Sequence, residues 1–112
     1  MKNQIIKLHD EFVNKGMSPS ILNKHECLWF KGYLLTDKDI GYVLLDMQTW
    51  LREKHRIYFW MHCCEEKKIG CEYTACIRKT DKYGWSLGSG KPSKDYNEAL
   101  LFGLQEAIKL IE

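Results

Sequence analysis

The middle of the chain contains three runs of apolar and aromatic residues, separated by short polar segments. The first run is rich in aromatic and β-branched residues, which is typical of a β-strand, and the other two have a similar character. The predicted strands are Arg56–Cys64, Ile69–Lys79 and Tyr83–Leu87, and the predicted turns are Glu65–Lys68 and Thr80–Lys82. Short connections between consecutive strands favour an antiparallel meander.

Alternation assigns the two faces of this sheet, because successive side chains of a strand point to opposite sides. In the first two strands the odd-numbered residues are the apolar set, so we expect them to share the buried face. That match requires a loop with an odd number of residues near Glu65–Ile69, or a bulge at Gly70. A three-residue turn at Thr80–Lys82 continues the scheme into the third strand. The predicted inner face is Ile57, Phe59, Met61, Tyr73, Ala75, Ile77, Tyr83, Trp85 and Leu87, and the predicted outer face is centred on Tyr58, Trp60 and His62.

Helical periodicity flanks the strands. Apolar residues at helical spacing predict a first helix over about Asn3–Lys15, stopped by Gly16. A capping box at Thr36 and Asp39, with Leu35 and Ile40 as a hydrophobic staple, predicts a second helix that ends near His55.

A third helix is predicted to begin at Asp95, with Glu98 as its capping-box partner. Gly103 costs about 1 kcal/mol in helix propensity relative to alanine, so we expect it to mark a close approach to the sheet or to another helix. The glycine-rich linker Gly88–Ser93 is predicted to be mobile. The predicted buried stripe of this helix is Tyr96, Leu100, Leu104, Ala107, Ile108 and Ile111.

These elements predict an α+β fold: a three-stranded antiparallel meander with helices on one face, in the order α-(α)-α-β-β-β-α. A length of 112 residues fits a single domain, with a helical N-terminal segment, residues 1–35, packing on an αβββα unit, residues 36–112. Residues 17–35 give no clear prediction, because the apolar residues between Leu28 and Leu35 follow no clean period. Whether they cover the outer sheet face is left open.

Composition changes this picture little. Apolar residues make up 45% and charged residues 29% of the chain, and a net charge of +2 does not by itself indicate a polyanionic partner. No apolar run reaches the roughly 20 residues of a membrane span, and the N-terminus lacks the pattern of a signal peptide. We therefore expect a cytoplasmic protein without membrane contacts.

An odd count of five cysteines then argues against a disulfide framework and favours free, packed thiols.

A zinc site is the sharpest chemical hypothesis, because four of the cysteines fall in the first two strands. The predicted register places Cys63 and Cys71 on the inner face, but Cys64 and Cys76 on the outer face about 20 Å apart. Zinc holds its sulfur ligands about 2.3 Å from the metal, so these four cannot share one ion. A mixed site in which His25 and Cys27 approach His62 and Cys64 stays open.

Catalysis is not predicted. No hydrolase, metalloprotease, P-loop or dinucleotide motif is present, and no cysteine has a histidine partner at a suitable position. The adjacent carboxylates of Glu65 and Glu66 fall in a predicted turn, where solvated charge explains them. We therefore assign no catalytic residue, no metal ligand and no cofactor.

Two stretches carry a family resemblance: Trp50–Ile57 (W-L-R-E-K-H-R-I) and Asp95–Ile111 (D-Y-N-E-A-L-L-F-G-L-Q-E-A-I-K-L-I). Together they resemble a group of small, uncharacterised bacterial proteins of phage or prophage type. The resemblance extends from Thr36 onward. It implies a mobile-element origin and no particular reaction.

The expected function is therefore that of a non-catalytic interaction or accessory protein. One alternative is shape-based binding of double-stranded RNA, because a helix, three antiparallel strands and a helix resemble the double-stranded-RNA-binding domain, which contacts phosphates. A second alternative is a homodimer formed through the outer sheet face, and an unknown protein partner is a third. The candidate interaction residues are Tyr58, Trp60, His62, Lys67, Lys68, Lys91 and Lys94.

Overall fold

The described residues form three α-helices and one antiparallel sheet of strand order β1-β2-β3, in the chain order α-α-β-β-β-α. The computed structural model describes residues 2–18, 37–66, 70–82 and 84–111. The elements are α1 (Lys2–Asn14), α2 (Asp37–His55), β1 (Ile57–Glu66), β2 (Gly70–Asp81), β3 (Gly84–Ser89) and α3 (Tyr96–Ile108). This order confirms the α+β class. The predicted capping residues Leu35 and Thr36 lie outside the described residues.

Two compact units divide the chain, Met1–Met47 and Gln48–Glu112, and α2 contributes to both. In the first unit α1 ends just before Gly16, whose φ of 113° suits glycine and stops the helix where the sequence predicted. Both helices of this unit bury an apolar stripe at helical spacing. Its fully or almost fully buried side chains are Ile5, Leu8, Phe12, Ile40, Val43, Leu44 and Met47, together with His9.

The register of β1 against β2 confirms the predicted odd-length loop. Odd-numbered residues pair with odd-numbered residues, as in Phe59 with Ile77 and Met61 with Ala75. The last pair is Glu66 with Gly70, so three residues connect the strands. The pairing is continuous up to Gly70, and the alternative of a bulge there is therefore wrong.

The connection from β2 to β3 differs from the prediction and reverses the face of β3. Asp81 pairs with Gly84, so the turn has two residues instead of three. Odd-numbered residues of β3 therefore lie opposite even-numbered residues of β2. Trp85 pairs with Thr80, and Leu87 with Arg78. The assignment of Trp85 and Leu87 to the inner face was wrong, because a one-residue change in the turn moves every side chain of the strand to the other side.

Helix α3 packs on the inner face of the sheet, mainly against β2. Its start confirms the predicted cap, since the Asp95 side chain accepts a hydrogen bond from the Glu98 N–H at 2.9 Å. The predicted close approach at Gly103 is also confirmed, because a Cβ on this glycine would overlap the side chain of Ala75. Tyr96 was wrongly assigned to the buried stripe. It is 49% exposed and contacts the ring of Tyr73 edge-on, with the centroids 5.4 Å apart.

The segment predicted to be a mobile linker, Gly88–Ser93, is held on both sides. Its first two residues belong to β3, and Gly90 is buried and donates its N–H to the Ala75 carbonyl at 3.0 Å. Ser93 exchanges two backbone hydrogen bonds with Tyr73. The prediction of mobility was wrong because glycine here serves close packing: a Cβ on Gly90 would lie 2.5 Å from the Gly103 nitrogen.

Burial of the inner face decreases along β1. Ile57 is fully buried and Phe59 and Met61 are half-buried, whereas Cys63 is exposed. Cys63 is disulfide-bonded, and its partner lies outside the described side chains. The expectation that all five thiols are free was therefore wrong at this position. An odd number of cysteines does not prevent one pair from forming.

Candidate functional site

The outer face of the sheet carries four large side chains that are open to solvent. Tyr58 and Trp60 come from β1, and Trp85 and Leu87 come from β3. Their exposed fractions are 36%, 47%, 65% and 62% in that order. With Arg78 of β2, which is also exposed, they are called the outer-face patch below. Large exposed apolar patches of this kind often mark the sites at which a protein binds a partner or a ligand.

The register arranges the outer-face patch in three successive rows across the sheet. Trp85 lies opposite Thr80 in the first row, at the end of the sheet where β1 begins. Tyr58 and Leu87 flank Arg78 in the second row, about 10 Å apart across two strand spacings. Trp60 lies opposite Cys76 in the third row. The Tyr58 ring therefore lies in the same row as the Arg78 guanidinium, and the rings of Trp85 and Trp60 lie one row before and one row after it.

Arg78 is held at the centre of the patch by a cation–π contact. Its guanidinium carbon lies 5.6 Å from the centroid of the Tyr58 ring. Such a contact attracts the guanidinium to the face of the ring, and among the described residues its five N–H donors remain able to bind another group. The centre of an otherwise apolar surface thus presents a positive charge with hydrogen-bond donors.

Further positive charge lies at the Trp85 end of the patch. Arg56, exposed and at the start of β1, accepts a hydrogen bond from the Thr80 N–H at 3.1 Å through its carbonyl, and Lys82 in the turn is also exposed. Asp81 alternates to the opposite face. The acidic residue of the outer face whose side chain is described is Glu72, which is six residues from Arg78 along β2, or about 20 Å.

The predicted interaction residues are only partly brought together. Tyr58, Trp60 and His62 share the outer face, with His62 opposite Thr74 and exposed. Lys91 is exposed, but its ammonium lies 5.9 Å from the ring centroid of Phe102 on α3, on the helix side of the sheet. Lys94 is exposed just before α3. Lys67 and Lys68 lie outside the described residues.

Sequence reasoning missed three members of the outer-face patch: Arg78, Trp85 and Leu87. The alternation of β3 contains the signal that could have found two of them. Gly84, Ser86 and Gly88 are the small residues of this strand, and a turn of two residues, the shortest hairpin connection, puts them on the helix side. Assigning that small set to the helix side places Trp85 and Leu87 on the outer face.

Metal-binding geometry is not found in the described part of the chain. Within those residues no three histidine, cysteine, aspartate or glutamate side chains lie close enough together to hold an ion. Cys76 is a free, half-buried thiol whose Sγ lies 3.9 Å from the Thr74 carbonyl oxygen. His25 and Cys27, which the open alternative of a mixed site requires, lie outside the described residues.

The arrangement offers flat aromatic surfaces and a fixed guanidinium on one side of a sheet, which suits a ligand that has both flat apolar groups and negative charge. None of the described helices has the length and hydropathy needed to cross a membrane. Compared with family models, with curated proteins and with solved structures, the chain gives no match.

Proposed function

We propose that this chain is a non-catalytic interaction domain that binds single-stranded nucleic acid on the outer face of its sheet. The observation that carries the proposal is the exposure of Tyr58, Trp60 and Trp85 on one face, around the guanidinium of Arg78. An accessory role in a mobile element, which the sequence resemblance implies, is part of the proposal.

The exposed aromatic side chains of the outer-face patch are suited to stacking with bases. Bases of a single strand stack on exposed tyrosine and tryptophan rings, at about 1–3 kcal/mol per base. Tyr58 and Trp60 follow the same strand at a spacing of two residues, and Trp85 lies on the other side of β2. The three rings can therefore receive successive bases of one strand that crosses the sheet.

The positive charges in and beside the outer-face patch are suited to binding phosphate groups. A base is followed by a phosphate, and Arg78 between the rings can bind one with paired N–H donors. Arg56, immediately before β1, and Lys82, in the turn after β2, are exposed at the same end of the sheet as Trp85, whereas Glu72 is about 20 Å from Arg78. A nucleic acid thus supplies a negative charge to the guanidinium of Arg78. A purely apolar partner would instead bury this guanidinium without a counter-charge.

The same charges disfavour a homodimer through the outer face. A two-fold contact centred on the patch would bring Arg78 close to its own copy, with Glu72 too far away to compensate both charges. Double-stranded RNA is also less well suited, because stacked and paired bases do not present their faces to a flat sheet. Both alternatives are outcomes of the experiment below.

Fluorescence anisotropy with labelled single-stranded RNA and DNA of about 12 nucleotides tests the proposal, since sites of this kind span about 4–16 nucleotides. Trp60→Ala and Tyr58→Ala should each weaken binding about tenfold, because 1.4 kcal/mol corresponds to a factor of ten. Arg78→Gln should weaken binding and reduce its dependence on salt concentration. Tyr42→Ala, which removes an exposed aromatic side chain of α2, is the matched control and should bind like the wild type.

Three results would contradict the proposal. They are no binding of single strands at low salt, equal binding by the wild type and Trp60→Ala, and tighter binding of duplex RNA than of single strands. The last of these would favour the double-stranded-RNA alternative. Dimer formation that Arg78→Gln strengthens, without any binding of nucleic acid, would favour the outer-face homodimer.

A further inference from the structure

We infer that two copies of this chain pair through the free edges of β3, antiparallel and centred on Ser86. The partner is a second copy, and the product is one continuous six-stranded sheet. Its two outer-face patches lie side by side on the same surface. The extension of the binding surface rests on the function proposed above, whereas the pairing of the strands does not.

The hydrogen-bond pattern defines which backbone groups of β3 are free. Gly90 donates its N–H to the Ala75 carbonyl, and hydrogen-bonded pairs recur at every second residue of an antiparallel ladder. Gly84, Ser86 and Gly88 therefore direct their backbone groups towards β2. The N–H and C=O groups of Trp85, Leu87 and Ser89 point away from β2, towards the free edge of the sheet.

The sequence of β3 is self-complementary in one register. Read from either end, Gly84–Gly88 (G-W-S-L-G) gives glycine, a large apolar residue, serine, a large apolar residue and glycine. Antiparallel pairing of Ser86 with its own copy places Trp85 opposite Leu87 of the second copy, and Leu87 opposite its Trp85. Aromatic and aliphatic side chains at such opposed positions stabilise paired strands. The same register joins the outward backbone groups of Trp85 and Leu87 in reciprocal hydrogen bonds.

The edge of β3 lacks the features that normally block strand addition. Protected edges carry charged residues or proline, whereas Gly84–Ser89 contains neither. Every residue of β3 is exposed, including the small residues on the inner side, so no described element covers this strand. In β1, by contrast, Ile57 is fully buried and Phe59 is half-buried.

The pairing has a consequence for binding. Rotation about an axis perpendicular to the sheet keeps both outer faces on the same side, so Trp85 and its copy lie diagonally across the axis from each other. A single strand long enough to cross both patches engages two sites at once, and its binding then strengthens the dimer. A short strand engages one patch and leaves the dimer unaffected.

Sedimentation equilibrium of the wild type, Leu87→Pro and Trp60→Ala tests the inference. Proline at position 87 removes an N–H that points to the free edge, and edge strands tolerate proline at such positions. Leu87→Pro should be monomeric, whereas Trp60→Ala should dimerise like the wild type. Leu87→Lys is the second variant; it keeps the backbone N–H, places charge opposite Trp85 of the second copy, and should also be monomeric. Circular dichroism identifies any variant that fails to fold.

The outcomes separate this inference from the function proposed above. A wild type that remains monomeric at high concentration with a long single strand present, or a dimer that both substitutions at Leu87 leave intact, would overturn the pairing. Binding of a short oligonucleotide by a monomeric wild type would leave the proposed function standing without the dimer. A dimer that both substitutions abolish, in a protein that binds no oligonucleotide, would establish the pairing alone.

Discussion

Gly103 of α3 lies directly against Ala75 of β2, so close that a β-carbon on the glycine would overlap the methyl group of the alanine. Gly90 lies against the backbone of the same helix turn, where its own β-carbon would be 2.5 Å from the Gly103 nitrogen. Two glycines and one alanine thus let the helix backbone contact the sheet without intervening side chains. This contact determines how α3 is seated in the second unit.

Gly103→Ala should destabilise the protein although alanine is the better helix former. The propensity gain of about 1 kcal/mol is outweighed by overpacking, which costs about 1–3 kcal/mol when the neighbours cannot move. We expect a net loss of up to about 2 kcal/mol in the free energy of unfolding, measured by urea denaturation. The double variant Gly103→Ala with Ala75→Gly should recover part of that loss.

Gly41→Ala provides the matched control on another helix. Gly41 lies within α2, and no atom of the described part of the chain lies within 4 Å of the position its β-carbon would take. Alanine should therefore stabilise the protein by about 0.5–1 kcal/mol through propensity alone. A loss of stability at Gly41, or a gain at Gly103, would contradict the assignment of Gly103 to a packing contact.

The helices and strands could be predicted because the spacing of their apolar residues is regular. The odd number of residues in the β1–β2 loop could be predicted because the apolar residues of both strands are the odd-numbered ones. The prediction failed at β3. Apolar residues were assigned to the inner side because the second turn was expected to have three residues, but its two residues place glycine and serine on that side, where they are exposed as well. Tyr58 and Trp60 of the outer-face patch were predicted from the alternation of β1, whereas the positions of Trp85 and Leu87 depend on the length of the second turn.

Lys79→Met should weaken the end of α3. The Lys79 ammonium donates a hydrogen bond to the Leu110 carbonyl at 2.6 Å, beyond the last turn of the helix. Carbonyls at a helix C-terminus lack partners, and a cation there is favourable. We expect the free energy of unfolding, measured by urea denaturation, to decrease by only about 1 kcal/mol, because the Lys79 side chain is half-buried. Lys94→Met, at an exposed position, should change little.

A second measurement makes this prediction specific. Burial lowers the pKa of His55, and the positive charge of Lys79 lowers it further. Removing that charge should raise the pKa of His55 towards its ordinary value of 6.5, which NMR titration of the imidazole protons can follow. A pKa of His55 that does not change in Lys79→Met would contradict the position of the ammonium.

Asp95→Ala should remove the N-cap of α3 and cost about 1 kcal/mol. The Asp95 carboxylate accepts from the Glu98 N–H, while the Ser93 hydroxyl donates to the Glu98 carboxylate at 2.9 Å and accepts from the Asp95 N–H at 3.1 Å. Asp95→Asn keeps an acceptor and should be almost neutral. Thermal denaturation of both variants distinguishes a cap from a charge effect, because only the loss of the acceptor should matter.

Trp60→Thr and Trp85→Thr should leave stability almost unchanged, within about 0.5 kcal/mol, because both side chains are exposed on strands. Threonine keeps a high β-propensity, so the substitution tests the indole alone. Ile57→Thr in the same sheet is the contrasting variant and should cost several kcal/mol, since Ile57 is fully buried. A large loss at either tryptophan would indicate that the ring packs against another part of the chain.

The buried imidazole of His9 should make the protein less stable below neutral pH. Burial lowers the pKa of His9, and the nearby carboxylates of Asp10 and Asp46 oppose that shift without cancelling it. Between the lowered pKa of the folded state and the ordinary value of 6.5, the unfolded chain binds more protons than the folded one. The stability contributed by neutral His9 is therefore complete above pH 6.5 and decreases as the pH falls towards the folded-state pKa.

His9→Gln should reduce this dependence, and urea denaturation at several pH values between about 7.5 and 5.5 measures it around the ordinary histidine pKa. The pKa of His55 is also lowered, so a smaller slope of the same sign should persist until His55 is replaced as well. His62→Gln, at an exposed position of the outer face, is the matched control and should retain the wild-type slope. If His9→Gln also retains the full slope, the buried imidazole is not its source, and the pH dependence must arise from other groups.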